Sequence, residues 1–317
     1  MYAPIVLFVY DRPAHTRRTL EALAANALAS ESELFVYADG PKEGATAEEL
    51  EKIRETRDVV RAGEWCKNVT LVEAEKNMGL AVSIVSGVTE IVNRFGQVIV
   101  LEDDLVVGKH FLDFMNDALE RYRDEKRVFH VCGYRFPVKR ADARKAYLYP
   151  VMDCWGWATW ANRWSCFKKD PALCKKTFTE EMIRSFNMDG ADSDKWAQIE
   201  ANLSGKLDTW AIFWGASIFL QHGLCLAPCR SLVQNIGSDD SGEHAQSEDR
   251  LLRRPVEIND GKITKFPKRI AVDRWEYLKN RWVRWSSRTT FAAFVGSHLP
   301  EGARKTLLKA FRKNAMS

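Results

Sequence analysis

The chain has 317 residues, 46% hydrophobic and 28% charged, enough for a substantial core and too well mixed for a disordered or low-complexity segment. No run of eighteen apolar residues exists, and Met1 leads into Pro4 and the apolar Ile5 to Val9 rather than a basic region, apolar core and cleavage site, so a cytoplasmic chain without membrane span or leader is expected. Net charge is +4, but Lys265 to Ser317 carries thirteen Lys and Arg against three Asp and Glu, +10 locally, leaving about −6 for the first 264 residues.

The N-terminal third alternates short apolar runs with helical patterns, the sign of β-α-β units in a parallel sheet. Pro4 to Tyr10 reads as a buried strand, and Asp11-Arg12 follows it. Pro13 suits the first position of a helix, where its missing N–H costs nothing, and Leu20, Leu23 and Ala27 recur at helical spacing. Leu34 to Ala38 is a second strand, closed by Asp39-Gly40. Thr46 and Glu49 form a capping box for a charged helix through about Arg61. A third strand near Val69 to Val72 leads to the turn Lys76-Asn77-Met78-Gly79, which offers Asn77 and Gly79 as further pocket candidates. The helix after it shows Ile84, Val85, Val88, Ile91 and Val92 on one face.

The most informative stretch is Gln97-Val98-Ile99-Val100-Leu101-Glu102-Asp103-Asp104. An apolar strand ending in three carboxylates is costly, because like charges crowded at its terminus repel, so something positive should face them. Strand alternation places Glu102 and Asp104 on one side and Asp103 on the other, and open α/β sheets hold ligands at the carboxyl ends of their strands. Hard oxygen ligands suit Mg2+ or Mn2+, with water and substrate phosphates completing the shell. The plainer alternative is a solvated acidic turn before a helix from His110 to Tyr122. Asp11-Arg12 and Asp39-Gly40 are singly ordinary turn chemistry; together with the triplet they outline a pocket along one sheet edge.

After Gly108 the pattern changes. Phe111, Phe114, Met115, Ala118, Leu119 and Tyr122 make a helix face, and strands near Val128 to Cys132 and Ala146 to Val151 read as a mixed sheet covering the first half. Trp155, Trp157, Trp160 and Trp164 could stack on sugar rings or fill the core, and at least two of the four are expected to be buried. Asp208 precedes the apolar helix Ala211-Ile212-Phe213-Trp214 and suits an N-cap. Asn235 to His244 has the composition of a mobile loop, with His244 as a candidate phosphate or metal contact. In the basic tail Trp275, Tyr277, Trp282, Trp285, Phe291 and Phe294 lie among Lys and Arg, which fits either an anionic membrane surface or a helix covering the domain. No nucleic-acid motif accompanies the charge. The seven scattered cysteines, without a C-x-x-C pair, argue for a reducing compartment and against a zinc knuckle.

Val9-Tyr10-Asp11-Arg12, Tyr37-Ala38-Asp39-Gly40, Leu101-Glu102-Asp103-Asp104, Trp155-Gly156-Trp157, Asp208-Thr209-Trp210 and Asn235 to His244, in this order, resemble the nucleotide-sugar domain of GT-A glycosyltransferases. The likeness is nearest to bacterial family-2-like sugar transferases and more distant to N-acetylglucosaminyltransferase I, and it runs from about Pro4 to His244. It implies a Rossmann-like α/β fold with a mostly parallel central sheet, a mixed acceptor-side sheet and C-terminal helices. Residues 1–108 would be the donor half, 109–264 the acceptor and catalytic half, and 265–317 a basic aromatic helical extension. By the resemblance Arg12 and Asp39 hold the base, Asp103 lies near the ribose, Glu102 near the donor sugar, Asp104 coordinates the metal and Asp208 is the general base. Asp11, Asn77 and Gly79 complete the donor pocket. Ser83 stands where the eukaryotic enzyme has a base-contacting histidine.

The implied reaction is inverting transfer of a sugar from a nucleotide diphosphate, UDP by the resemblance, to a glycan or lipid-linked glycan such as lipopolysaccharide or capsule, at the inner face of the plasma membrane through 274–317. A sugar-phosphate nucleotidyltransferase would share the fold and acidic site but usually has a Gly-rich loop after its first strand, and Asp11-Arg12-Pro13-Ala14 has no glycine. A non-catalytic nucleotide-sugar or carbohydrate-binding relative is the third reading, and Glu102, Asp104 and Asp208 argue against it.

Overall fold

A computed structural model describes residues 2–138, 141–192, 194–237 and 256–287. The chain opens with three β-α units, β1 (Ile5–Val9), α1 (Pro13–Ala24), β2 (Glu33–Ala38), α2 (Ala47–Arg61), β3 (Asn68–Glu73) and α3 (Leu80–Phe95), followed by β4 (Gln97–Glu102). Each boundary has a local cause. Pro13 opens α1. Both halves of the capping box form at α2: Thr46 Oγ1 accepts the Glu49 N–H at 3.2 Å, and the Glu49 carboxylate accepts the Thr46 N–H at 2.7 Å. Helix α3 buries Ile84, Val88, Ile91 and Val92 and ends at Gly96, whose φ of 80° is the left-handed cap that suits glycine.

The second half holds β5 (Leu105–Val107), α4 (Phe111–Arg121), β6 (Val128–Cys132), β7 (Ala146–Tyr149), β8 (Trp157–Trp160) and α5 (Ala161–Trp164). Then come α6 (Pro171–Thr177), α7 (Glu180–Phe186), α8 (Asp194–Leu203), α9 (Ala211–Leu220), β9 (Leu224–Pro228), β10 (Val233–Asn235) and α10 (Arg274–Ser287). Among the described residues eight strands form one sheet in the order β3-β2-β1-β4-β8-β6-β9-β7. The first four run parallel. Beyond them β8 pairs antiparallel with β4 and β6, and β9 runs parallel to β6 and antiparallel to β7.

The Rossmann-like α/β class expected from the sequence is therefore present. One expectation is corrected: the mixed strands do not cover the parallel half but extend it edge to edge. The reason is that the β4 edge from Gln97 to Val100 takes its backbone hydrogen bonds from Trp160 to Trp157, so the two halves share a ladder and a single core. A smaller apolar cluster, with Phe178, Phe186, Trp196, Ile199 and Phe213, binds the helical layer α6 to α9 together. Among the described residues no helix is long and apolar enough to cross a membrane.

Chain order creates a useful crevice. From β1 the chain passes to β2 and β3 on one side, while β4 lies on the other, so the connections leave the β1/β4 pair in opposite directions. Open α/β sheets bind ligands outside the carboxyl ends of strands at such a switch point.

Candidate functional site

The acidic triplet lies at this switch point. Glu102 is the last residue of β4, Asp103 and Asp104 form a turn, and β5 starts at Leu105. Across the crevice, Arg12 follows β1 and occupies the N-cap of α1. Its Nη1 stands 3.0 Å from Asp104 Oδ2 and 3.4 Å from Asp103 Oδ1, so the positive group demanded by the triplet is Arg12. The pairing corrects the expected alternation. Asp103 and Asp104 both turn toward one guanidinium because strand periodicity stops at Glu102.

Backbone contacts fix the turn from two sides. Thr19 Oγ1, buried on α1, donates to the Asp103 carbonyl at 2.8 Å. From the other side the Ile236 N–H donates to the Asp104 carbonyl at 2.8 Å, and Asn235 Nδ2 reaches Asp104 Oδ1 at 3.4 Å. Asn235 ends β10, which pairs antiparallel with β5 and so brings the 235–237 segment onto the turn. A Cβ on Gly237 would stand 2.2 Å from Asp104 Oδ2 and 2.9 Å from Arg12 Nη2, so any larger residue would push the Asp104 and Arg12 side chains from their present positions. Thr19 carries no motif, and the clamp by Asn235 to Gly237 depends on the β5–β10 pairing, so neither contact could be read from sequence spacing.

Among the described residues charge in the turn is unbalanced: three carboxylates stand near one guanidinium, which pairs with Asp103 and Asp104. Burial, and then the charges of Asp104 and Asp103, push the Glu102 carboxyl well above its usual range, and burial followed by Asp104 does the same to Asp103. The next segment of wall is Asp153 to Trp155, where burial and then Glu102 raise the Cys154 thiol.

Asp11 and Asp39 end the neighbouring strands. Burial raises the Asp11 carboxyl, against the pull of Lys42, Lys52 and Arg12. Asp39 is engaged in local structure: its Oδ1 accepts the N–H groups of Gly40 and Met78, each at 2.8 Å, and its Oδ2 that of Gly79 at 3.1 Å. Asn77 Nδ2 in turn donates to the Gly40 carbonyl at 3.1 Å. A Cβ on Gly40 would meet the Lys76 backbone at 2.5 Å. Asp39, Gly40, Asn77 and Gly79 thus weld the two loops at the start of α3, on the same sheet edge as Arg12 and Asp104.

Three of the four clustered tryptophans, Trp157, Trp160 and Trp164, are buried in the core. Trp155 alone is half-exposed, packed edge-on against Tyr134 with ring centroids 4.4 Å apart. Asp208 is not the N-cap expected of it. Trp210 holds that position with no side-chain cap, because the chain between Leu203 and Trp210 is organised by Asn202, whose side chain accepts the Thr209 N–H and donates to the Thr209 hydroxyl. Asp208 is exposed and forms an ion pair with Lys169. Lys169 also lines a depression of about 590 Å³ on the outer side of α3 with Val82, Val85, Ser86 and Glu90. His244 lies outside the described residues.

Among the described residues no three His, Cys, Asp or Glu side chains converge as a ligand set. The donor chemistry still fits a hard divalent cation, since the oxygens are carboxylates and Arg12 offsets only part of their charge. The protein would then supply few ligands, Asp104 first among them.

No known protein family matches the chain and no curated protein does. Among solved structures, the 1-349 segment of S. aureus TarS is 10% identical over 74% of this chain and 60% of that one, with a TM-score of 0.42. The same segment in complex with UDP-GlcNAc gives 11% identity over 73% and 57%, with a TM-score of 0.39. A mannose-1-phosphate geranyltransferase from Thermus thermophilus is 12% identical over 72% and 74%, at 0.35. The chain spans less than two thirds of the TarS segment, and overlaps this loose carry no functional argument.

Proposed function

We propose that this chain is a GT-A-type glycosyltransferase that moves a sugar from a nucleotide diphosphate, UDP first, to a glycan or lipid-linked glycan hydroxyl. The observation that carries the reading is the carboxylate-rich turn Glu102-Asp103-Asp104, held against Arg12 at the β1/β4 switch point of a parallel sheet. Residues 1–108 form the donor half in this reading, 109–264 the acceptor half, and 265–317 the extension.

Asp11, Arg12 and the loops welded by Asp39, Asn77 and Gly79 border the base and ribose, with Asp103 beside the ribose and Glu102 beside the sugar. Asp104 would hold Mn2+ or Mg2+, which when bound offsets charge on the leaving diphosphate. Asp208 accepts the proton of the incoming hydroxyl once Lys169 yields it; an exposed ion pair is a weak competitor for that exchange. The acceptor oxygen then attacks the anomeric carbon as its bond to the diphosphate oxygen breaks, giving inversion in one displacement. Of the segment Asn235 to His244, expected to order over the donor, residues 235–237 clamp the acidic turn and the rest lies outside the described residues. A lipid-linked acceptor, as in bacterial surface polysaccharide, places the work at the inner face of the plasma membrane.

The test is calorimetric titration of UDP, GDP, CDP and dTDP, with and without Mn2+, into wild type and Asp104→Ala. One diphosphate is expected to bind in a metal-dependent way that Asp104→Ala abolishes. Absence of binding by all four removes the proposal.

A further inference from the structure

Helix α10 is amphipathic in the reverse sense from an ordinary surface helix. Its side toward the domain is largely polar: Glu276 and Asn280 are buried. Glu276 bonds Arg135 at 2.6 Å, Asn280 donates to the Tyr147 hydroxyl at 2.8 Å, and Arg284 pairs with Asp192 at 2.7 Å and with Asp153. These residues recur every four positions, one helix face. Trp275, Leu278, Trp282 and Trp285 follow at steps of three, four and three on the opposite face, and Trp275 is 76% exposed, Leu278 49% and Trp282 51%.

The apolar area that Trp275 and Leu278 leave open on this face is of the kind a covering surface would bury. Its composition says which. Tryptophan and leucine on one face with basic flanks is the pattern of a helix lying in a lipid interface, where indole rings sit at headgroup level. Arg274, Lys279 and Arg281 border the stripe, and the 265–317 region carries +10. Such charge complements anionic headgroups, whereas a symmetric contact between two copies would bring equal positive charges together.

We infer that the Trp275-Leu278-Trp282-Trp285 face of α10 docks this protein onto an anionic lipid surface, with the helix lying in the interface plane. Because Arg135, Asn280 and Arg284 tie α10 into the sheet, docking fixes the attitude of the whole domain on the surface. The inference deepens the proposed lipid-linked acceptor and rests on that reading for its purpose, but its test reads lipid binding and donor binding separately.

Full-length protein and the Trp275→Ser/Leu278→Ser/Trp282→Ser variant would be floated with phosphatidylcholine vesicles with and without phosphatidylglycerol. Wild type should partition onto the anionic vesicles, less so at high salt, and the variant should lose about tenfold or more of that partitioning. Donor-nucleotide calorimetry on the variant checks that the domain is intact, and Trp275→Ser alone provides a milder second case with a smaller loss. Wild type that fails to bind anionic vesicles, or a folded variant that floats like wild type, overturns the inference. So does a wild-type dimer in sedimentation that the variant lacks, since the stripe would then be a contact between copies. Vesicle binding without nucleotide binding would leave the docking face standing and remove the transferase reading.

Discussion

Two buried charge clusters lie at opposite ends of the logic of this molecule. Around α10, each charge has a matching partner: Arg135 with Glu276, and Arg284 with Asp153 and Asp192. Burial alone would raise the Asp153 carboxyl, yet Arg284 and the Tyr149 hydroxyl hold it below its usual range. At the β4 turn, among the described residues, Asp103 and Asp104 share Arg12 beside Glu102, and Glu102 and Asp103 are raised instead. A balanced cluster has its partners inside the fold and fastens one element to another. An unbalanced one at a sheet switch point has room for a partner from outside.

Breaking the balanced cluster should have the largest effect. Arg284→Met leaves Asp153 and Asp192 buried without their guanidinium and should cost about 3–5 kcal/mol in urea unfolding; a loss below about 1 kcal/mol would mean that the network contributes little.

His130 provides a pH handle on the same region. Its Nδ1 accepts the Trp214 indole N–H at 3.1 Å and its Nε2–H donates to the Asp153 carbonyl at 3.0 Å, an arrangement open only to the neutral ring. Burial lowers its pKa to about 4. The unfolded chain therefore binds a proton that the native state refuses, and stability falls as pH drops from about 6.5 to 4, by about 3 kcal/mol. His130→Gln can keep both hydrogen bonds, and its unfolding curves should lack that part of the acid dependence.

The unbalanced turn should respond with the opposite sign. Glu102→Gln replaces a carboxyl that ionises in the unfolded chain but must take up a proton in the fold, and should stabilise the unliganded protein by about 1–3 kcal/mol near neutral pH while weakening donor binding. Destabilisation instead would place this turn with the structural clusters. The smallest effect belongs to neither cluster: Thr46→Ala removes an exposed capping box, and thermal unfolding should report a loss of about 1 kcal/mol.

Much of the parallel half was legible. Buried runs such as Ile5 to Val9 and Val98 to Leu101 have no competing helical period, and Pro13 and Thr46-Glu49 mark helix starts by chemistry confined to a few neighbouring residues. The acidic triplet was equally visible, and the demand for a nearby positive charge followed from repulsion alone. Asp208 was misplaced as a cap because Asn202, not the helix start, organises its loop. The tryptophan cluster was divisible only by burial, which leaves Trp155 half-exposed while its three neighbours fill the core. The basic aromatic tail fitted two readings in sequence; α10 packs its polar side on the domain and leaves Trp275 and Leu278 exposed.

The sequence by itself determined the strand and helix periods, the caps, the excess of carboxylates after β4 and the basic aromatic character of the last fifty residues, because these are set by neighbours along the chain. Only the tertiary structure decided that Arg12 answers Asp103 and Asp104, that β10 brings Gly237 against the same turn, and that Arg284 holds Asp153. Those contacts join residues about ninety or more positions apart, and which distant charges meet is fixed by sheet order and strand pairing rather than by any local preference.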